Sequence, residues 1–189
     1  MNYYEVSNYV NKINGFMGSY AQREFMFNLG KITDNAAEIG SYKGLSASLV
    51  LLGMISSIKK NIPSYYCIDT FESSNVELEN ESTFDEFNKV ISDIDTYGIT
   101  KIIKGYSTDD KTIKQIPNNL DWIYIDGDHQ TEQVLKDIKC YVPLIKNNGL
   151  ILFHDHTWDS VYEAIKIALE DGLIEFICSF DDFGVYKKK

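Results

Sequence analysis

"DWIYIDGDHQ", residues 121–130, is an apolar run that breaks off into two carboxylates and a histidine. Short and rich in β-branched and aromatic residues, "LDWIYID" (120–126) reads as a buried strand. Asp126, Asp128 and His129 then fall at its carboxyl end. Further on, "GLILFHD" (149–155) repeats the arrangement and breaks into His154-Asp155-His156. His129, His154 and His156 are the only histidines in the chain, and all three stand at these two strand ends.

Working outward, "NAAEI" (35–39), "SYYCID" (64–69) and "TKIIKG" (100–105) read as strands of the same kind. Helical spacing of apolar residues fills the gaps. It runs over 44–60, over 83–97 (Phe84, Phe87, Val90, Ile91, Ile94) and over 131–146 (Val134, Leu135, Ile138, Tyr141, Val142, Ile145). Ser160-x-x-Glu163 has the form of a capping box, and Gly149 and Gly172 stand where helices should stop. The segment 173–187 reads as a hairpin with an acidic turn. The first thirty residues read as two helices broken at "NGFMGS" (14–19).

Strands alternating with helices pair in parallel, and right-handed crossovers wind the sheet in both directions. Ligands of such sheets bind beyond the carboxyl ends of the strands. The carboxylates and histidines at 126–129 and 154–156 are therefore expected to line a site.

Composition narrows the partners. At 189 residues the chain suits one domain with a good core. A formal net charge of −10 argues against a duplex nucleic-acid binder and against docking on an anionic membrane. No apolar run approaches the roughly 20 residues of a membrane span, and "MNYYEVSNYVNK" lacks a charged-then-apolar leader pattern. Cys67, Cys140 and Cys178 are scattered in apolar runs with no C-x-x-C. They read as buried small hydrophobes in a reduced cytoplasm rather than as disulfides or a zinc site.

The first strand feeds "EIGSYKGLSAS" (38–48), where Gly40 and Gly44 bracket a tight turn into a helix. Glycine permits positive φ and close backbone approach to a ligand. Tyr42 stands where a dinucleotide fingerprint has its middle glycine, which disfavours a pyrophosphate and a dehydrogenase. Asp69 ends the second strand, where a carboxylate can accept both hydroxyls of a ribose. Taken alone, the turn merely joins strand to helix and Asp69 merely caps; together they point to an adenosine-type ligand.

With these residues in view, the sequence resembles the class I S-adenosylmethionine-dependent methyltransferases. Within them it resembles the methyltransferase-24 type, relatives of catechol O-methyltransferase. The resemblance rests on "AEIGSYKGLSAS", "IDTF", "KGYSTDD", "IDGDH" and "GLILFHDHTW" in that order, with "INGFMGSYAQREFMFNLG" similar to the family's lid helices. It implies that Glu38 and Gly40 hold the methionine end of the cofactor, with Ser41, Tyr42 and Gly44 around it. Asp69 would take the ribose, and Ser107 and Thr108 would flank the adenine. Asp126 and Asp155 stand where metal-dependent relatives have two ligands. The third is an Asn or Asp next to the second, so His156 or His154 takes that place and the register stays open. His129 falls where those relatives have a lysine base.

Methyl transfer is an in-line displacement in which the protein aligns the nucleophile and removes its proton. A histidine, with an unperturbed pKa of ~6.5, suits the second task. A divalent metal is the other device, since it acidifies a bound hydroxyl. Magnesium prefers oxygen ligands, so an imidazole ligand shifts the expectation toward manganese, iron or zinc. The bland readings stay beside these: His129 as a helix cap, 154–156 as a structural network, Asp128 facing water. Tyr3, Tyr4, Phe16, Met17 and Tyr20 read as core or as the floor of an acceptor pocket. Arg23, the only arginine, reads as a surface ion pair or as a grip on an anionic acceptor. The acidic run 72–83 reads as a mobile loop near Asp69, and the "KKK" tail as solvated.

The expectation is one α/β domain over 1–189, with lid helices in 1–33 and a Rossmann-like doubly wound core in 34–189. The sheet has seven strands, mostly parallel, with an antiparallel last strand. The chain would bind S-adenosylmethionine, possess an optional divalent metal (Mg, Mn or other), and methylate a hydroxyl on a sugar or secondary-metabolite intermediate. His129, Asp126 and His154 would carry catalysis, and Asp126, Asp155 and His156 would hold the metal. A homodimer without nucleic-acid or membrane partners is expected. Rival readings are a metal-dependent hydrolase built on the His/Asp cluster and a non-catalytic cofactor-binding subunit.

Overall fold

The computed structural model describes residues 1–15, 17–57, 61–72 and 83–189. Two helices, α1 (Tyr3–Val10) and α2 (Tyr20–Gly30), precede the sheet. Then follow β1 (Asn35–Ile39), α3 (Leu45–Ser56), β2 (Ser64–Asp69), α4 (Thr83–Ile94), β3 (Thr100–Lys104) and the short α5 (Asp110–Ile113). The second half holds β4 (Leu120–Ile125), α6 (Thr131–Tyr141), β5 (Ile145–Phe153), α7 (Asp159–Glu170), β6 (Ile174–Phe180) and β7 (Phe183–Lys188).

The strands form one seven-stranded sheet in the order β3-β2-β1-β4-β5-β7-β6. β3 through β5 pair in parallel, and β7 is antiparallel to both β5 and β6. The chain starts at β1 in the middle, winds to β3, then crosses to β4 on the other side of β1. That reversal opens a crevice between β1 and β4, where doubly wound folds bind ligands.

Strand side chains alternate between faces, so each strand feeds two cores. Ala36, Tyr65, Cys67, Trp122 and Tyr124 pack with α1 to α4 on one face. Ala37, Ile68, Ile123, Ile125 and Phe153 pack with α6 and α7 on the other. Burial on both faces explains why these strands read as near-continuous apolar runs.

Several local expectations are corrected. The helix read over 131–146 ends at Tyr141 and tightens into a 3-10 turn over Val142–Leu144. Pro143 has no N–H to continue the ladder, and Ile145 already begins β5. Gly149 is not a helix stop. It sits inside β5 at a register shift opposite Leu120 and Trp122, where a Cβ would lie 2.7 Å from the Asp121 carbonyl. Ser160 does not cap α7: the N-cap is Trp158, with no side-chain bond, and the Ser160 carbonyl instead accepts from Thr131 Oγ1 at 2.8 Å. Gly172 does follow α7, at φ 70°. The helices read over 44–60 and 83–97 end at Ser56 and Ile94.

In the N-terminal region Tyr3 is buried against Tyr20 and Phe27, while Tyr4 is exposed. Arg23 is engaged within the fold. Its guanidinium braces the connection between α1 and α2, donating to the Met17 carbonyl at 2.7 Å and to Asn11 Oδ1 at 2.6 Å. Phe16 and most of the acidic run 72–83 lie outside the described residues. Among the described residues no helix is long and apolar enough to cross a membrane.

Candidate active site

A cleft of about 1250 Å³ opens beyond the carboxyl ends of the strands, and its wall includes Gly40, Ser41, Tyr42, Asp69, Ser107, Asp126, His129, His154 and Asp155. One half is built by backbone. Gly40 has φ +90°, and a Cβ there would be driven into the Asp126 carbonyl of the neighbouring strand end. Tyr42 sits in the left-handed region at φ 45°, and its N–H donates to Asp69 Oδ2 at 2.7 Å. The other oxygen, Oδ1, accepts the Phe71 N–H at 2.6 Å. Asp69 thus holds the turn in shape, and each of its oxygens keeps a lone pair for a ligand. Gly44, also at φ +90°, caps α3 and does not reach the cleft.

Glu38 lies behind this wall. It is fully buried and accepts from the Tyr65 hydroxyl at 2.7 Å through Oε2. Burial pushes its pKa up to about 7, against the lowering effect of the hydroxyls of Tyr65, Ser41 and Ser46. Ser41 is buried on the cleft wall beside it.

The other half is built by side chains at the ends of β4 and β5. His129 Nε2 lies 2.9 Å from Asp155 Oδ2, and His154 Nδ1 lies 3.0 Å from the same oxygen. His154 Nδ1 is also 3.3 Å from Asp126 Oδ1, while the Tyr124 hydroxyl donates to Asp126 Oδ2 at 3.0 Å. Burial alone would lower the His154 pKa; the Asp126 hydrogen bond, with the charges of Asp126, Asp155 and Asp182, raises it to about 9. Asp155 adopts φ 49°, a conformation costly for a residue with a side chain and one that concentrates at functional sites. Donor atoms of Asp126, His154 and Asp155 all lie within 4.8 Å of one another and can hold a metal ion.

His156 does not join them. Its backbone N–H donates to the Asp182 carbonyl at 3.0 Å, and its ring packs against Gly184, where a Cβ would lie 2.9 Å from Cγ. Burial lowers its pKa, against the raising effect of the Asp182 charge and the Asp181 backbone. The third donor beside the two aspartates is therefore His154, not His156. Asp128 accepts the Gln130 N–H at 2.8 Å and faces solvent at the cleft rim.

Ser107 lines the cleft and Thr108 does not. Among the wall residues not given a role from the sequence are Gln133, Asp137, Trp158 and Asp182. Trp158 is half exposed and packs over His129 with ring centroids 4.9 Å apart. Asp182 accepts from Gln22 of α2, tying the N-terminal helices to the β6–β7 turn. Asp137 did leave a trace in the sequence. It is a charged residue at helical spacing among Val134, Ile138 and Tyr141, on a face that must be buried.

A family model described as a methyltransferase domain matches residues 37–156. An uncharacterized protein of Acanthamoeba polyphaga mimivirus is 30% identical over 122 residues, covering 63% of this chain and 50% of that protein. The chain thus spans about half the length of that curated relative. Among solved structures, an O-methyltransferase from Bacillus cereus in complex with SAH superposes at TM-score 0.69. It has 14% identity, and the match covers 98% of this chain and 90% of that one. An SAH-bound methyltransferase from Podospora anserina superposes at TM-score 0.70 with 16% identity, covering 98% and 94%. At such identities the likeness is one of fold.

Proposed function

The chain belongs to the methyltransferase domain family, and from that premise we propose that it is an S-adenosylmethionine-dependent O-methyltransferase acting on a hydroxyl of a small molecule. The observation that carries this reading is the His129–Asp155 pair, set 2.9 Å apart on the wall of the cleft that the glycine turn opens. With Asp155 accepting from Nε2–H, the tautomer is set and Nδ1 is left to take a proton. The acceptor hydroxyl loses its proton to His129 as its oxygen attacks the sulfonium methyl. The methyl donor, when bound, would supply the carbon, its S–CH3 bond breaking as the C–O bond forms so that the electron pair leaves with the thioether. Asp155 orients the ring and stabilises the imidazolium that results.

The cofactor supplies the activated methyl group. Gly40 and Tyr42 would shape the turn that receives it, Asp69 would offer lone pairs to the ribose hydroxyls, and Ser107 would stand on the base side. A divalent ion fits Asp126, His154 and Asp155; when bound it would acidify the acceptor hydroxyl. One imidazole among two carboxylates favours manganese, iron or zinc over magnesium.

The acceptor we infer is neutral or cationic. Among the described wall residues are Asp69, Glu72, Asp126, Asp128, Asp137, Asp155 and Asp182, and neither lysine nor arginine. Such a field repels phosphate and carboxylate groups. A sugar or a secondary-metabolite intermediate without an acidic group suits it. The hydrolase alternative leaves the glycine turn and Asp69 without a role, and the non-catalytic alternative leaves the His129–Asp155 pair without one.

Calorimetric titration with S-adenosylmethionine and S-adenosylhomocysteine, each with and without EDTA, tests the reading. Micromolar binding of both is expected, and a change on chelation would place a metal beside the cofactor. Binding of neither under any condition would overturn it.

A further inference from the structure

His154 has a second charged neighbour that the chemistry above does not use. Its Nδ1 faces Asp126 and Asp155. At the other end of the ring Nε2 faces Asp182 Oδ2 at 3.8 Å, the distance of an ion pair rather than of a hydrogen bond. The Tyr124 ring also packs edge-on against the imidazole, with centroids 6.4 Å apart, but such a contact is blind to which nitrogen carries a proton. Asp182 is held from two sides. Gln22 Nε2 of α2 donates to its Oδ1, and the His156 N–H donates to its carbonyl at 3.0 Å. Gln22 is itself buried, and its backbone N–H is fixed by Ser19 Oγ at 3.1 Å. Residues outside the Asp126–His154–Asp155 cluster thus set Oδ2 against the imidazole.

Resting on the reading of that cluster as a metal site, we propose that Asp182 is the positioning residue for the His154 imidazole, keeping the ring proton on Nε2 and leaving the Nδ1 lone pair to an ion held by Asp126 and Asp155. A neutral imidazole donates at one nitrogen and accepts at the other, so the partner of the first decides what the second can do. An anion stabilises N–H at the nitrogen it faces. Asp126 and Asp155 face the ring as well, at Nδ1, but a cation bound between them reverses the sign of the charge on that side. Asp182 then remains as the anion on the far side of the ring from the ion. A carboxylate on the second nitrogen is the common means of fixing the tautomer and orientation of a metal-binding histidine. Here it is supplied from the β6–β7 turn and braced from α2, 160 residues away along the chain. The N-terminal helices thereby set the geometry of a ligand that stands at the end of β5.

The test uses the full chain, isotope-labelled at histidine, with ZnCl2 as the probe. The chain has only three histidines, so each ring can be followed. Two-bond nitrogen–proton correlation spectra tell which ring nitrogen carries the proton. In the zinc-loaded, unaltered protein His154 is expected to hold its proton on Nε2 and the zinc on Nδ1. By calorimetry, Asp182→Ala should bind zinc about 10- to 100-fold more weakly, the range for loss of such a carboxylate. In a His154→Ala background the same substitution should weaken binding by less than about 2-fold, because no ring is left to position. An equal loss in both backgrounds would make Asp182 a ligand or a mere counter-charge and would overturn the proposal, as would parental affinity in Asp182→Ala. Zinc on Nε2 of His154 in the unaltered protein would overturn it without any variant, so the test stands even where a variant does not fold. If zinc neither shifts the His154 nitrogens nor gives a binding heat, the metal reading itself fails and the proposal falls with it.

Discussion

The two halves of the cleft are made by different means. Around Gly40, Tyr42 and Asp69 the cleft wall is shaped by backbone, with positive φ at Gly40 and Tyr42 and a carboxylate that accepts one amide on each oxygen. Around Asp126, His129, His154 and Asp155 it is side chains, coupled through one shared oxygen, Asp155 Oδ2. Backbone surfaces tolerate little change in shape but are indifferent to proton count. Side-chain clusters tolerate shape changes and respond to every charge. Binding of a constant cofactor suits the first, and proton transfer suits the second.

The largest break should come in the backbone half. Gly40→Ala forces a Cβ into the Asp126 carbonyl at a positive φ. Overpacking and strain together should cost about 2–4 kcal/mol. Cofactor binding by calorimetry should vanish, and the melting temperature should fall. Parental binding in this variant would mean that the turn does not contact the cofactor.

Next in size is the side-chain half. His129→Ala should lower turnover about 10²- to 10⁴-fold, the usual worth of a positioned base. Its cofactor Kd should move by less than about 3-fold, since the ring is assigned to the acceptor's proton and not to the cofactor. A larger change in Kd than in turnover would make His129 a binding residue and dissolve the contrast between the halves.

A smaller effect separates shape from charge through pH. Glu38 is raised from 4.5 to about 7 and Asp137 from 3.8 to about 6, each mainly by burial. The folded state therefore keeps protons that the unfolded chain has released. The resulting stability is fully present below the unfolded values and is lost as pH rises through the folded ones. Melting temperature measured in EDTA should fall from about pH 4.5 to pH 7, and Glu38→Gln should flatten the upper part of that fall. A flat profile in the unaltered protein would show that neither group is perturbed.

The smallest effect is expected at Asp128→Asn. The amide keeps the turn bond to Gln130, and the side chain is at the solvent rim. Cofactor affinity and melting temperature should stay within about 2-fold and 1 °C. A strong loss of turnover would promote Asp128 from rim to acceptor contact.

What the sequence by itself determined was local. Strand–helix alternation, the glycine turn, the acid closing β2 and the polar ends of β4 and β5 all follow from hydrophobic period and from backbone freedom, which neighbours in the chain express. The same local signals misled where tertiary contacts intervene. Gly149 looked like a helix stop because its neighbours are polar, yet it answers a bulge opposite Asp121 on another strand.

Only the tertiary structure decided which histidine stands beside Asp126 and Asp155. His154 and His156 are equivalent in a pattern that alternates. The left-handed turn at Asp155 and the pull of the β6–β7 turn send one ring toward the acids and the other against Gly184. Asp137 is the same lesson at longer range. Its burial was implicit in the helical period, but its partner Ser107 lies thirty residues earlier, and pairing across that distance is set by how α6 docks on the loop after β3. Spacing along a chain encodes the face a residue occupies; what meets it there depends on how the elements pack.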